Sequence, residues 1–423
     1  MLRPALAVAL FSAWWILLTL ALRAITLDAG ELPVDYRTYA LAAERLGQSG
    51  SPYPAAETVR GTWQAMHESA LAVFRPDAAG PDAAGVVSGP YLYPPGLALV
   101  LQQTGLTGGQ FLVLLAGATI GLCLGWWRLS GLRSAVWLLP ACVSIDLIAV
   151  FMGGNVEILL IALSLLACRL LWARHPLAAA PVVAAVLLVK PQFALLFAAF
   201  ACLGLCATPG RRDFLRASVI CAGAALVLIA LDILRWPPAA RADFLAYASA
   251  PAEFLYFALD DASQWPMRTW NRAPLQVFLN LGLPFGAAQA ASIALYGLLL
   301  GISGLVLRGR ALTFASAFAL AYALLIVGRP ITWALPMLSV FTLAAVWPAL
   351  TRRGRVALVL VAAGVGLSHW VAFGLFVAGI WPGLLTLQTP ALPWETLVIL
   401  PGAWALVLLA ARRQGVAART PAA

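Results

Sequence analysis

The run ALAVALFSAWWILLTLALRAITL, residues 5–27, is apolar over the length of a membrane crossing, and it gives way to a polar stretch, 28–95, that holds eight of the chain's seventeen carboxylates. A helix needs about 20 mostly apolar residues to cross a hydrocarbon core. Runs of about that length recur through the 423 residues, of which 62% are hydrophobic and only 10% charged. A mean hydropathy of +0.90 excludes a soluble globular domain. The pattern predicts an all-α polytopic membrane protein with a single transmembrane domain over 1–423. The first run is too long for a signal peptide and lacks a small-residue cleavage site, so it reads as a retained helix.

The net charge of +10 comes almost entirely from arginine, Lys190 being the only lysine. Short basic clusters separate the apolar runs: Arg128 and Arg133; Arg169 and Arg174; Arg211, Arg212 and Arg216; Arg308 and Arg310; Arg352, Arg353 and Arg355; Arg412 and Arg413. That is the pattern of cytoplasmic turns, not of a nucleic-acid surface. With every cluster inside, crossings fall near 5–27, 109–127, 134–152, 155–173, the Pro-interrupted pair 177–190 and 192–207, 214–234, 287–307, 311–328, 331–349, 356–380 and 395–411. About twelve transmembrane helices result, with both termini cytoplasmic and extracytoplasmic loops at 28–90 and 235–274. Residues 91–107 are too short for a span and begin Tyr-Leu-Tyr-Pro-Pro, so they read as a re-entrant or interface-lying piece. No internal repeat marks the chain as an inverted-repeat transporter. The preference for Arg over Lys and the wealth of Ala suggest a high-GC bacterium, hence a bacterial plasma membrane.

All six cysteines lie in apolar segments and offer no disulfide framework. The three histidines are scattered, so no metal is expected. There is no Gly-rich phosphate loop, so no nucleotide or other cofactor is expected either.

Within the first loop, Tyr39, Ala42, Ala43 and Leu46 share one helical face while Arg37, Glu44 and Arg45 take others. This is the signature of an amphipathic helix lying along the membrane surface. Asp35 stands at its start, where it reads equally as an N-cap for a helix beginning at Tyr36 or as a base at the water–lipid boundary. Lys190 ends an apolar run beside Pro191. An unpaired ammonium in the bilayer costs about 2.5–3.5 kcal/mol on insertion scales, which calls for a partner such as a lipid phosphate unless the side chain snorkels to the interface. Arg268 and Arg272 flank Trp270 and Asn271 in the second loop, a set suited either to phosphate binding and sugar stacking or to an interfacial belt. Arg329, before Pro330, is a cation on the external side against the general charge trend. Asn155 and Glu157 follow Gly153 and Gly154 at an external turn and could line a sugar pocket. Asp232 near Arg235 reads as an interfacial ion pair, and Asp146 as a helix contact or a site residue. Asp260 and Asp261 read as solvated acids or a weak divalent-ion site.

Several of these segments resemble glycosyltransferase family 87, multipass enzymes of the GT-C fold related to mannosyltransferases that use polyprenyl-phosphate mannose. The run Asp35-Tyr36-Arg37-Thr38-Tyr39-Ala40-Leu41-Ala42-Ala43, followed by Gly50-Ser51-Pro52-Tyr53, is similar to the family's first-loop signature. Tyr91-Leu92-Tyr93-Pro94-Pro95, Gly153-Gly154-Asn155-Val156-Glu157, Lys190-Pro191-Gln192 and, more loosely, Trp270-Asn271-Arg272-Ala273-Pro274 resemble later blocks in the same order. Two positions depart: Glu157 stands where an amide is more usual, and Trp333 is followed by Ala334 where members often carry His.

The resemblance implies a GT-C type inverting glycosyltransferase. A hexose, mannose-like sugar or pentose would pass from a polyprenyl-phosphate donor to a lipid or glycan acceptor at the outer face, with Asp35 as general base. Lys190, Arg268, Arg272 and Arg329 would hold the donor phosphate. Tyr39, Tyr93, Asn155, Glu157, Trp270 and Asn271 would contact sugar or acceptor. The partners expected are thus the lipid-linked donor, the acceptor and membrane lipids, with no nucleic acid. A lipid-linked sugar flippase or transporter, and a non-catalytic partner in envelope glycan assembly, are the rival readings.

Overall fold

The computed structural model describes residues 4–26, 34–54, 59, 91–130, 153–207, 210–250, 271, 273–332, 337–377 and 395–417, and among them every regular element is helical. The elements are α1 (Pro4–Thr26), α2 (Val34–Ser49), α3 (Gly96–Thr104), α4 (Gly108–Ser130), α5 (Glu157–Trp172), α6 (Pro176–Val189) and α7 (Ala194–Ala207). They continue as α8 (Arg211–Arg235), α9 (Pro238–Ser249), α10 (Pro274–Asn280), α11 (Phe285–Leu307), α12 (Phe314–Gly328), α13 (Leu338–Val346), α14 (Arg352–Val377) and α15 (Leu400–Ala417). The expected crossing at 134–152 lies outside the described residues.

The hub is α12. All fifteen of its residues are buried, as befits a helix apolar on every face. Helices α7, α11, α13 and α15 surround it. Trp126 from α4 packs 5.7 Å from Phe318 and 4.7 Å from Phe341, and Tyr322 lies 5.0 Å from Phe341. Helix α6 is clasped between α5 and α8, and α4 bridges α1 and α5. Among the described residues, four segments are long and apolar enough to cross a membrane: Gly108–Ser130, Arg211–Arg235, Phe285–Leu307 and Thr396–Gln414. Their outward faces remain apolar, with Val113 72% exposed, Leu234 68% and Leu305 73%. So much exposed hydrocarbon is what a lipid-facing surface requires and a water-facing one avoids.

Helices α5, α7 and α12, with 16, 14 and 15 residues, are shorter than the runs 155–173, 192–207 and 311–328, whereas α6 has the 14 residues expected of 177–190. All four are about 21–24 Å long against a hydrocarbon core of about 30 Å. The expected crossing at 331–349 is also interrupted: its helix begins at Leu338, and Arg329 is extended with ψ 148°. Pro330 accounts for this, because the residue before a proline is driven out of helical conformation. Residues 96–104 form a nine-residue helix, too short to span, packed against α2 and α6.

The two ends of the bundle differ in charge. Arg174 stacks 4.5 Å over Phe214, Gly309 N–H bonds the Cys206 carbonyl and Arg310 reaches the Arg412 carbonyl, which gathers the arginine-bearing turns at one end. Helices α5, α6 and α12 run between that end and the opposite one, where Glu157, Lys190 and Arg329 meet. Close packing near the arginine end rests on Gly204, since a Cβ there would fall 2.3 Å from the Phe214 ring, itself wedged among Trp172 and Phe200.

Gly204→Ala should therefore cost about 1–3 kcal/mol by overpacking and lower the melting temperature in detergent. Gly117→Ala, where an added Cβ meets nothing within 4 Å, should leave it unchanged or raise it. Equal responses from the two would refute close packing at Gly204.

Candidate functional site

At the end of the bundle opposite the arginine turns, four ionic side chains from four distant segments converge. Glu157 occupies the first turn of α5, where the helix dipole favours an acid. The turn before it depends on Gly154, whose φ of +67° is a left-handed value that suits glycine. Asn155 then closes an Asx turn, its Oδ1 accepting the Glu157 N–H at 2.9 Å.

Lys190 and Arg329 arrive by a shared device. Each is the C-cap residue that follows an apolar helix, bonded through its N–H to the carbonyl four residues back, and each is followed by proline. Proline stops the helix, leaving a cation at its negative end. Lys190 Nζ donates to Glu157 Oε2 at 2.7 Å. Arg329 grips the same carboxylate end-on, Nη1 to Oε1 at 2.6 Å and Nη2 to Oε2 at 3.3 Å. All three residues are buried.

Asp35 joins from the layer above. Helix α2 begins at Val34, so Asp35 sits within its first turn and is not its N-cap. Its N–H donates to the Gly153 carbonyl at 2.8 Å, and its Oδ2 accepts from Asn155 Nδ2 at 2.9 Å. Among the described residues its other oxygen takes no hydrogen bond. Burial pushes the Asp35 carboxyl above its ordinary value, while the Asn155 hydrogen bond and the Lys190 charge pull it down; the net direction is up. Asn155 is the relay, since its Oδ1 also lies 3.5 Å from Lys190 Nζ.

Aromatic residues bind this layer together. Tyr39, one turn beyond Asp35, donates to the Tyr93 hydroxyl at 3.4 Å and accepts from Val156 N–H at 3.5 Å. Lys190 Nζ stands 5.3 Å over the Tyr93 ring. Tyr53 donates to the Tyr93 carbonyl at 2.7 Å, and Tyr36 bonds the Leu106 carbonyl. Ser51 bonds Asp243 of α9, tying the first loop to the second.

Tyr39, Tyr93, Asn155, Glu157, Lys190 and Arg329 thus surround or adjoin Asp35. Lys190 and Arg329, expected at the donor phosphate, both also bind Glu157. Two other expectations need revision. Asn271 was read as a sugar ligand, yet its Oδ1 accepts from Ala273 and Thr332 N–H and its Nδ2 donates to the Pro330 carbonyl at 3.0 Å. It is fully buried and braces the chain just after Arg329. Asp232 was read as a partner of Arg235, whereas its carboxylate accepts the Trp236 indole N–H at 2.9 Å. Arg268, Trp270, Arg272, Asp146, Asp260 and Asp261 lie outside the described residues. Sequence reasoning missed the Glu157 ion pairs. The visible signal was two apolar runs ending in cation-proline, with a single acid opening the apolar run between them and the first loop.

Among the described residues no cluster of His, Cys, Asp and Glu has the makings of a metal site. Searches against protein-family models, curated proteins and solved structures return no match to this chain.

Removing Glu157 alone strands two facing buried cations. Glu157→Met should cost about 3–5 kcal/mol, whereas Glu157→Met with Arg329→Met should recover much of that loss. Denaturant midpoints in detergent give the coupling, and strictly additive costs would dissolve the pair.

Proposed function

We propose that this chain is an inverting glycosyltransferase that takes a sugar from a polyprenyl-phosphate donor at one face of a membrane. The observation that carries the reading is the juxtaposition of Asp35, a half-buried carboxylate with one oxygen unpaired among the described residues, with the cations Lys190 and Arg329. Transfer from a lipid phosphate needs both kinds of group. A base must take the proton of the attacking hydroxyl, and cations must stabilise the departing phosphate.

In this reading Asp35 accepts the acceptor's proton as the hydroxyl oxygen bonds the anomeric carbon. The bond from that carbon to the phosphate oxygen breaks on the opposite face, and its electron pair leaves with the phosphate. Asn155 orients Asp35 through Nδ2 and holds it beside Lys190 through Oδ1. Tyr93 and Tyr39 supply the aromatic wall on which a sugar face can pack. Short helices bear on the same point. With their arginine ends at one interface, helices of about 21–24 Å bring Glu157, Lys190 and Arg329 up below the far one, where a lipid-borne phosphate resides. The resemblance of the first-loop, Tyr-Pro-Pro and Lys-Pro segments to family 87 supports the same assignment.

The test is transfer by protein in nanodiscs offered a panel of radiolabelled polyprenyl-phosphate sugars and a lipid extract. Asp35→Asn should lower the rate by about 10²–10⁴-fold with donor binding retained. Equal rates would remove Asp35 from catalysis. Movement of lipid-linked sugar across a sealed bilayer without transfer would replace the enzyme by a flippase.

The pH profile supplies a second check. A base must be ionised, and burial raises the Asp35 carboxyl, so the rate should fall on acidification through a value above the usual carboxylate of about 3.9. Asn155→Ala removes a hydrogen bond that favours the ionised form, so its acid limb should move to higher pH. An unmoved limb would assign the titration to another group.

A further inference from the structure

Glu157 is placed to do more than neutralise its neighbours. Arg329 spends Nη1 and Nη2 on the Glu157 carboxylate, and its Nε, though buried, has no hydrogen-bond partner among the described residues. Lys190 has three protons and directs one to Glu157 at 2.7 Å and one, at 3.5 Å, toward Asn155. Among the described residues, Thr332, three residues beyond Arg329, keeps a buried hydroxyl without a partner. A buried donor left unpaired is costly, so a ligand oxygen that reached these groups would be favoured. The Lys190–Arg329–Glu157 cluster by itself, apart from Asp35 across Asn155, carries a single positive charge.

We propose that Glu157 sets the Lys190–Arg329 subsite at one net positive charge, so that it accepts a phosphodiester monoanion and rejects phosphomonoesters and diphosphates. The inference deepens the transferase reading and rests on it for its meaning in turnover. A lipid-phosphate sugar is a diester with one negative charge. When the acceptor oxygen bonds the anomeric carbon and the carbon–oxygen bond to phosphate breaks, the electron pair stays on the phosphate and the acceptor's proton goes to Asp35. That cleavage itself turns the monoanionic diester into a phosphomonoester dianion while the Asp35 carboxylate becomes neutral, so charge is conserved. At neutral pH the monoester carries about −1.5 to −2 and faces a single positive charge from the cluster. The excess favours its departure. An amide in place of Glu157 would leave two positive charges and hold the product.

The test needs no turnover. Binding of dibutyl phosphate, butyl phosphate and pyrophosphate to the protein in nanodiscs is measured by calorimetry at about pH 8 and about pH 5, either side of the monoester's second ionisation near 6. At the higher pH the native protein should bind the diester at least about tenfold more tightly than the monoester, because the monoester's second charge would be buried without a partner. At the lower pH the two should converge, because the monoester is then a monoanion. The groups facing the subsite are Asp35, Glu157, Lys190, Arg329, Tyr39, Tyr93 and Tyr322, and the diester measured at each pH cancels their common effect on anions. Glu157→Gln should invert the order at the higher pH, and Glu157→Asp, which keeps the charge, should preserve it. The proposal fails if the native protein binds neither ester, if its preference does not change with pH, or if folded Glu157→Gln keeps the native order. Should Glu157→Gln not fold, the native pair of pH values decides alone. Absent transfer with the predicted binding order would sink the enzyme and spare the subsite; transfer with an unselective subsite would do the reverse.

Discussion

A carboxylate held between two cations inside an apolar bundle governs this end of the molecule. Removing a carboxylate or ammonium from water costs several kcal/mol even after relaxation, and only close, well-directed partners return it. Glu157 meets that condition with an ion pair of 2.7 Å to Lys190 and an end-on fork from Arg329. The three groups come from the start of α5, the end of α6 and the end of α12. Their mutual dependence fixes the relative height of those helices, for a slip of one residue along an axis is about 1.5 Å and would break the fork.

Proline is the means by which the cations reach that height. A lysine or arginine within an apolar helix would point into lipid or into packed side chains. Set as the last residue before proline, each instead ends its helix, leaves the α conformation and turns toward the neighbouring helix start. Arg329 also lies 5.8 Å over the Phe193 ring, just past the Lys190-Pro191 break, so the two breaks support one another. Asn271 keeps the second break in shape by holding the backbone of Pro330 and Thr332.

The outer layer imposes the remaining constraint. Helix α2 buries Tyr36, Tyr39, Ala42, Ala43 and Leu46, and that stripe sets which way Asp35 looks. The Gly153 carbonyl and Asn155 then lock it to the bundle end. The Asp35 carboxylate and the buried cations are thus carried by separate layers and joined through one asparagine. That separation permits a half-buried acid beside a fully buried ion cluster, two environments that one helix could not offer together.

Helical class, apolar exterior and the amphipathic face of α2 were legible in the sequence, because each follows from the order of apolar and polar residues along a local stretch. Asp35, Asn155, Glu157, Lys190 and Arg329 were legible singly, since charge in or beside an apolar run is conspicuous. Their partners were not. The sequence placed Asp35 as a cap or a base and Lys190 and Arg329 as phosphate ligands, with nothing to say that Glu157 holds both. It also over-extended the inner helices, since hydropathy continues through 331–349 where Pro330 breaks the backbone. Periodicity is a sum over neighbours in the chain, so the sequence alone decided which segments become helices and which faces they bury. Pairing of charges depends on which helix ends meet, and that is set by packing around α12 among residues 33 to 172 positions apart, which only the tertiary structure decided.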